Sequence, residues 1–205
     1  MIFGRKPTPQ QKRLELGLDS DLSLNLIDVI HLSLHPAFQR PEGRFFIQGI
    51  GTVENAEGGR DLFNVYAENG PHRYWLALEA RGEVIESACL YQNVLTLTPD
   101  GAEWPGLLQS ITAQTIDLDG VTYLRVWGGE AEYAELCELD ERVTTREARF
   151  ECQNRLMSFE RAIQPGNFIE YLKVVVEVID SQQQASVSFY VGFEIHPSTI
   201  TILGH

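Results

Sequence analysis

Apolar and polar residues alternate with a period of two along most of this chain. In DLFNVYAE (61–68), Leu62, Asn64 and Tyr66 fall on one parity and Phe63, Val65 and Ala67 on the other. Side chains two apart share one face of a strand, so such runs predict strands. RFFIQGIGTV (44–53) and HRYWLALEA (72–80) flank that run. Gly58 and Gly59 mark a turn at Asn55–Gly59, and Asn69-Gly70-Pro71 marks another. The three runs therefore predict an antiparallel meander. Arg81-Gly82 breaks the chain before EVIESACLYQNVLTLT (83–98). QTIDLDGVTYLRVWGG (114–129) predicts a hairpin, because Asp119-Gly120 is a favoured pair for a tight type I′ turn. YAELCEL (133–139), ARFECQNRLMSFERAI (148–163), FIEYLKVVVEVI (168–179), ASVSFYVGFEI (185–195) and STITILG (198–204) complete the predicted strands. In KVVVEVI the density of β-branched residues outweighs a helical reading.

Two segments depart from this pattern. In LSLNLIDVIHLSL (22–34), Leu22, Leu24 and Leu26 alternate, while Leu26, Ile27, Ile30 and Leu34 form a helical stripe. Asp19 or Asp21 as a cap and Pro36 as a stop favour a helix there. PDGAEWPGLLQSI (99–111) is rich in turn residues, and Trp104, Leu107 and Leu108 fit a short helix. The expected fold is mainly β (β-rich α+β), an antiparallel sandwich or partly open barrel with one or two short helices. Residues 1–13 read as a flexible basic tail. Residues 14–205 read as a single β-rich domain, with division into two subdomains near 99–113 as the alternative.

Composition narrows the class. The 205 residues are 43% apolar and carry a formal charge of −13. Arg5, Lys6, Lys12 and Arg13 all lie in the tail, which leaves the remainder at −17. A body so acidic repels phosphate backbones, so nucleic acid is not an expected partner. The three cysteines, Cys89, Cys137 and Cys152, are far apart and lack CxxC spacing. They predict buried apolar side chains, with no disulfide framework or zinc site. The N-terminus lacks the apolar core of a secretory signal, and no stretch approaches the ~20 apolar residues of a helical membrane span. The expected location is cytoplasmic.

FFIQGIGTVENAEGGRDLFNVYAEN, LMSFERAI, FIEYLKVVVEVID and the closing VGFEIHPSTITILG, taken in that order, resemble the YjfK-like family of uncharacterised bacterial proteins. The similarity runs from about Leu22 to Gly204. It implies no activity for any residue, and no cofactor is expected. It implies a neighbourhood that holds a PspA-like coiled-coil protein, a small membrane protein and a ligase-like enzyme, and hence a link to membrane or envelope stress.

Candidate chemistry is sparse. His31 and His35, in HLSLH, would share one face of a helix as two metal ligands must, but Leu32 stands where a zinc protease needs Glu. Satisfied or surface histidines are the competing reading, and no metal is expected. His72 and His196 read as turn residues. Glu130, Glu132, Glu135, Glu138, Asp140 and Glu141 form an acidic run that falls on both parities of a strand, so it reads as a solvated edge. Gly49-x-Gly51 lies within a strand and predicts a bulge or a close backbone approach. Trp75, Trp104 and Trp127, with Tyr66, Tyr74, Tyr91 and Tyr123, could line a groove that binds a partner or small ligand, but strand aromatics usually pack, so core packing is the favoured reading. Trp104 is the exception, because it sits in a turn-rich segment. The expectation is a non-enzymatic protein-interaction module, with Trp104, Glu132, Glu135 and Glu138 as candidate partner contacts. Two alternatives remain: a metal-assisted hydrolase using His31, His35 and the acidic run, and a β protein that encloses a small ligand in a deep apolar cavity.

Overall fold

The computed structural model describes residues 16–29, 31–53, 61–82, 84–164, 168–179 and 184–204. The predicted tail at 1–13 and turn at Asn55–Gly59 lie outside the described residues. The strands are β1 (Asp21–Leu24), β2 (Arg44–Val53), β3 (Asp61–Asn69), β4 (His72–Arg81), β5 (Val84–Leu97), β6 (Thr115–Leu118), β7 (Val121–Arg125), β8 (Cys137–Thr145), β9 (Arg149–Ile163), β10 (Phe168–Ile179), β11 (Gln184–Ile195) and β12 (Ile200–Leu203). One α-helix, α1 (Trp104–Thr112), follows β5, and short 3₁₀ turns occupy Ile27–Val29 and Pro197–Thr199.

The sheet closes on itself. Neighbours run β2-β3-β4-β5-β11-β10-β9, and β8 pairs with both β9 and β2 to complete an eight-stranded antiparallel barrel. The expected sandwich or partly open barrel is corrected accordingly. Closure depends on two strands that each serve two partners along one edge. β2 pairs with β1 through Arg44–Phe46 and with β8 through Gly49–Val53, with a bulge between Ile47 and Gly49 at the changeover. β9 pairs with β8 up to Leu156 and with β7 at Phe159 and Glu160. The strand expected at 133–139 lies instead at 137–145, and this shift is what allows it to bridge β2 and β9.

The helix expected over residues 22–34 is not formed among the described residues, which hold β1, the 3₁₀ turn and, from His31, chain without regular secondary structure. Leu22 lies opposite Phe45 on one side and Ile202 on the other. Two strand partners outweigh a helical stripe, because propensity is a weak prior against tertiary pairing. The predicted hairpin is present as β6–β7, with Asp119 at φ 49° and Gly120 at φ 80°, the positive angles that a type I′ turn requires.

Two apolar layers result. Leu76, Leu90, Leu172, Val191 and Phe193 face outward from the barrel and are fully buried. They are covered by Leu22, Phe38, Ile111, Ile116, Tyr123 and Ile200 from the flanking strands, α1 and the N-terminal segment. Around β8 the outer face is open and charged. Arg142 pairs with Glu151 at 3.2 Å and Arg155 with Glu138 at 3.3 Å. The second layer lies inside the barrel. Among the described residues no helix is long and apolar enough to cross a membrane.

Candidate functional site: a carboxylate in the barrel lumen

Strand parity decides which side chains enter the lumen. Tyr66 lies opposite Trp75, Trp75 opposite Tyr91, Glu141 opposite Cys152, and Val175 opposite Leu156. These residues share the inner face. Side chains from separated strands meet there: Trp75 on β4 stacks edge-on against Tyr190 on β11, with ring centroids 5.5 Å apart. Lys173 on β10 places its ammonium 4.6 Å from the ring centres of both Trp75 and Tyr91. Such contacts are attractive because each ring face is electron-rich. Burial lowers the Lys173 pKa below the usual lysine range.

On one side of this aromatic group is a cavity of about 450 Å³. Seven of the eight barrel strands contribute to its wall, which includes Tyr66, Trp75, Phe150, Leu156, Val175 and Tyr190. That volume lies within the usual ~300–1,000 Å³ range of small-molecule sites. Glu68 and Arg73 also border it, paired at 4.0 Å.

The polar centre of the cavity is Glu141, 2% exposed. Its Oε1 accepts from Asn64 Nδ2 at 2.9 Å, and its Oε2 accepts from the Tyr66 hydroxyl at 2.8 Å and Asn154 Nδ2 at 3.4 Å. Asn64 is held in turn by Trp75, whose indole N–H donates to its Oδ1 at 2.7 Å. Among the described residues no cation lies within ion-pair distance of Glu141. Burial raises its pKa, the Asn64 and Tyr66 hydrogen bonds oppose that rise, and the charge of Glu177 adds to it. Burial and then the Glu141 charge push the Tyr66 phenol far above its ordinary range. The same two causes, with Glu177, push the Cys152 thiol up to about 11. Asn154, 6% exposed, also lines the cavity, and its Oδ1 has no hydrogen-bond partner. A buried acceptor without a partner is costly, so it marks a place where a donor would be favoured.

A family model described as protein of unknown function (DUF2491) matches residues 1–201. The chain belongs to that family. No curated protein matches this DUF2491 member, and no solved structure matches it.

Of the residues singled out from the sequence, Tyr66, Tyr74, Trp75 and Glu141 border the cavity, while the histidines, Trp104 and the remaining acids of the run lie elsewhere. His31 is exposed, whereas His35 is 1% exposed and does not share a site with it. His35 Nδ1 accepts from the Ala37 N–H, so Nε2 carries the proton it gives to the Leu118 carbonyl at 3.0 Å. Both ring nitrogens are occupied in holding the N-terminal segment, and among the described residues no group of acids, histidines and cysteines could hold a metal ion. Glu170 completes this anchor, accepting from the His35 N–H, the Tyr123 hydroxyl and Arg161.

Trp104 is half-buried at the start of α1 and packs against the outer core. Glu132 and Glu135 are exposed in the loop before β8. Arg125 fixes that loop through the carbonyls of Trp127 and Ala131. Glu138 faces outward against Arg155. The expectation of three buried cysteines is also corrected, since Cys137 is exposed and Cys89 and Cys152 are half-buried.

Glu141 is the residue that sequence reasoning passed over, and its signal was present. In CELDERVTT it shares parity with Cys137, Leu139 and Val143, a carboxylate set among apolar positions. Grouped with its acidic neighbours, it read as one more solvated charge.

Proposed function

We propose that this barrel is a binding protein for a small organic molecule, held in the lumen against Glu141. The observation that carries the reading is the cavity of about 450 Å³, bounded largely by aromatic and aliphatic side chains around one buried carboxylate. An apolar wall with a few convergent polar groups is the usual composition of a ligand site. Glu141 is positioned by four neutral donors from β3 and β9, the Cys152 thiol included, which is how a binding group is pre-organised rather than how a surface charge is solvated. Native mass spectrometry of the gently purified protein tests the proposal. A bound small molecule, released on denaturation and lost in Leu156→Trp, is the expected result. A barrel that takes up no apolar probe, such as N-phenyl-1-naphthylamine, contradicts it.

A docking role is supported by a separate surface. Leu124, Val126 and Tyr133 are exposed large apolar residues, and Glu130, Glu132 and Glu135 lie in the same loop region. Following the YjfK-like resemblance, the partner of that surface would be a PspA-like coiled coil or a small membrane protein, and the setting cytoplasmic and linked to envelope stress. Charge reversal at Glu132 and Glu135 should then reduce partner recovery without affecting the lumen.

A further inference from the structure

We infer that the lumen ligand is an organic cation, a protonated amine carried on an apolar or aromatic body. The inference rests on the binding reading above and adds the chemical class. One acceptor on the cavity wall carries a buried charge. Glu141 is a buried carboxylate with neutral donors and no cation within ion-pair distance among the described residues. Asn154 beside it turns its Nδ2 to the carboxylate, and its own Oδ1 is closed off and without a partner. An ammonium group would neutralise the carboxylate and give it a charge-assisted hydrogen bond.

The surroundings reinforce the sign. Glu177 borders the same cavity, and its charge reaches Glu141, Cys152 and Tyr190. Glu68 at the edge is offset by Arg73. Lys173 is held by Trp75 and Tyr91 and is not part of the cavity wall. The wall thus carries an excess of negative charge, which attracts a cation. An anionic ligand such as a fatty acid would have to approach the buried Glu141 and the nearby Glu177 with like charge.

Three probes on one ring system test the inference: 1-naphthylmethylamine, 1-naphthalenemethanol and 1-naphthoic acid, titrated calorimetrically into the full chain. The amine should bind at least about tenfold more tightly than the alcohol, since hydrogen bonds to charged groups are the strong ones. The acid should bind weakest. Glu141→Gln should bring the amine down to the level of the alcohol and leave the alcohol unchanged. If that variant does not fold, Glu177→Gln, at an exposed position, should lower amine affinity severalfold and spare the alcohol. Equal binding of all three probes, preference for the acid, or an amine preference that survives both substitutions overturns the inference. N-phenyl-1-naphthylamine separates the two readings. Uptake of this neutral probe without an amine preference removes only the cation, while no uptake of any probe removes the binding reading as well.

Discussion

The Glu141 carboxylate occupies the space that a side chain on Gly51 would fill. A Cβ built on Gly51 would overlap Glu141 Oε1. Glycine on β2 is therefore what lets a carboxylate from β8 lie flat across its neighbour and reach Asn64 and Tyr66 on β3. Gly192 plays a similar part beneath Tyr91, but there a Cβ would also meet the backbone carbonyl of Leu90.

These two glycines should respond differently to alanine. Gly51→Ala meets mainly a flexible side chain, so it should cost only about 1–2 kcal/mol, near the low end for overpacking. It should also displace Glu141 and abolish amine preference. Gly192→Ala meets backbone and should cost about 3 kcal/mol or more. Urea unfolding of the two variants beside the wild type checks the order, and a reversed order would contradict the packing described.

Glu141 should make the folded protein lose stability as pH rises. Its pKa is raised in the folded state, chiefly by burial. The folded form therefore holds the proton more tightly than the unfolded chain does. The associated stability is present below the unfolded value of about 4.3 and is lost as pH climbs through the higher folded value. Relative to Glu141→Gln, wild type should melt progressively lower as pH increases through that window. Parallel melting curves at every pH would count against a buried, ionising Glu141.

Thiol reactivity should separate the cysteines. Cys137 is exposed, while burial raises the pKa of Cys89 and brings that of Cys152 to about 11. The thiolate is the reactive form, so a disulfide-exchange reagent at pH 8 should consume Cys137 first. The other two should react at comparable speed only after denaturation. Replacing Cys137 with Ser should remove the fast phase.

The Glu170 anchor should govern the N-terminal segment. Burial lowers the Arg161 pKa, but its hydrogen bond and ion pair with Glu170 outweigh that and raise it. Glu170→Ala leaves Arg161 without that partner and frees the His35 N–H and the Tyr123 hydroxyl. Breaking a buried pair in this way costs about 3–5 kcal/mol. Limited proteolysis should then cut between residues 31 and 40 before the barrel unfolds. An unchanged cleavage pattern would mean that the segment is held by its apolar contacts alone.

Period-two alternation determined that the chain is β-rich, and it marked β3, β4 and the β6–β7 hairpin, because strand side chains and tight turns obey local rules. It did not determine closure. β8 carries charges on its open face and apolar residues on the other, but which strands it joins depends on long-range pairing. Leu22 and Leu24 show the same limit, since a helical stripe and a strand are both consistent with that sequence until Phe45 and Ile202 are beside it. The candidate site was half visible. The odd residue among Cys137, Leu139 and Val143 is a carboxylate, and Gly51 signalled a close approach. Only the tertiary structure set these two together and left a cavity, open on one side, against Glu141, because the contents of a lumen are decided by which strands meet across it.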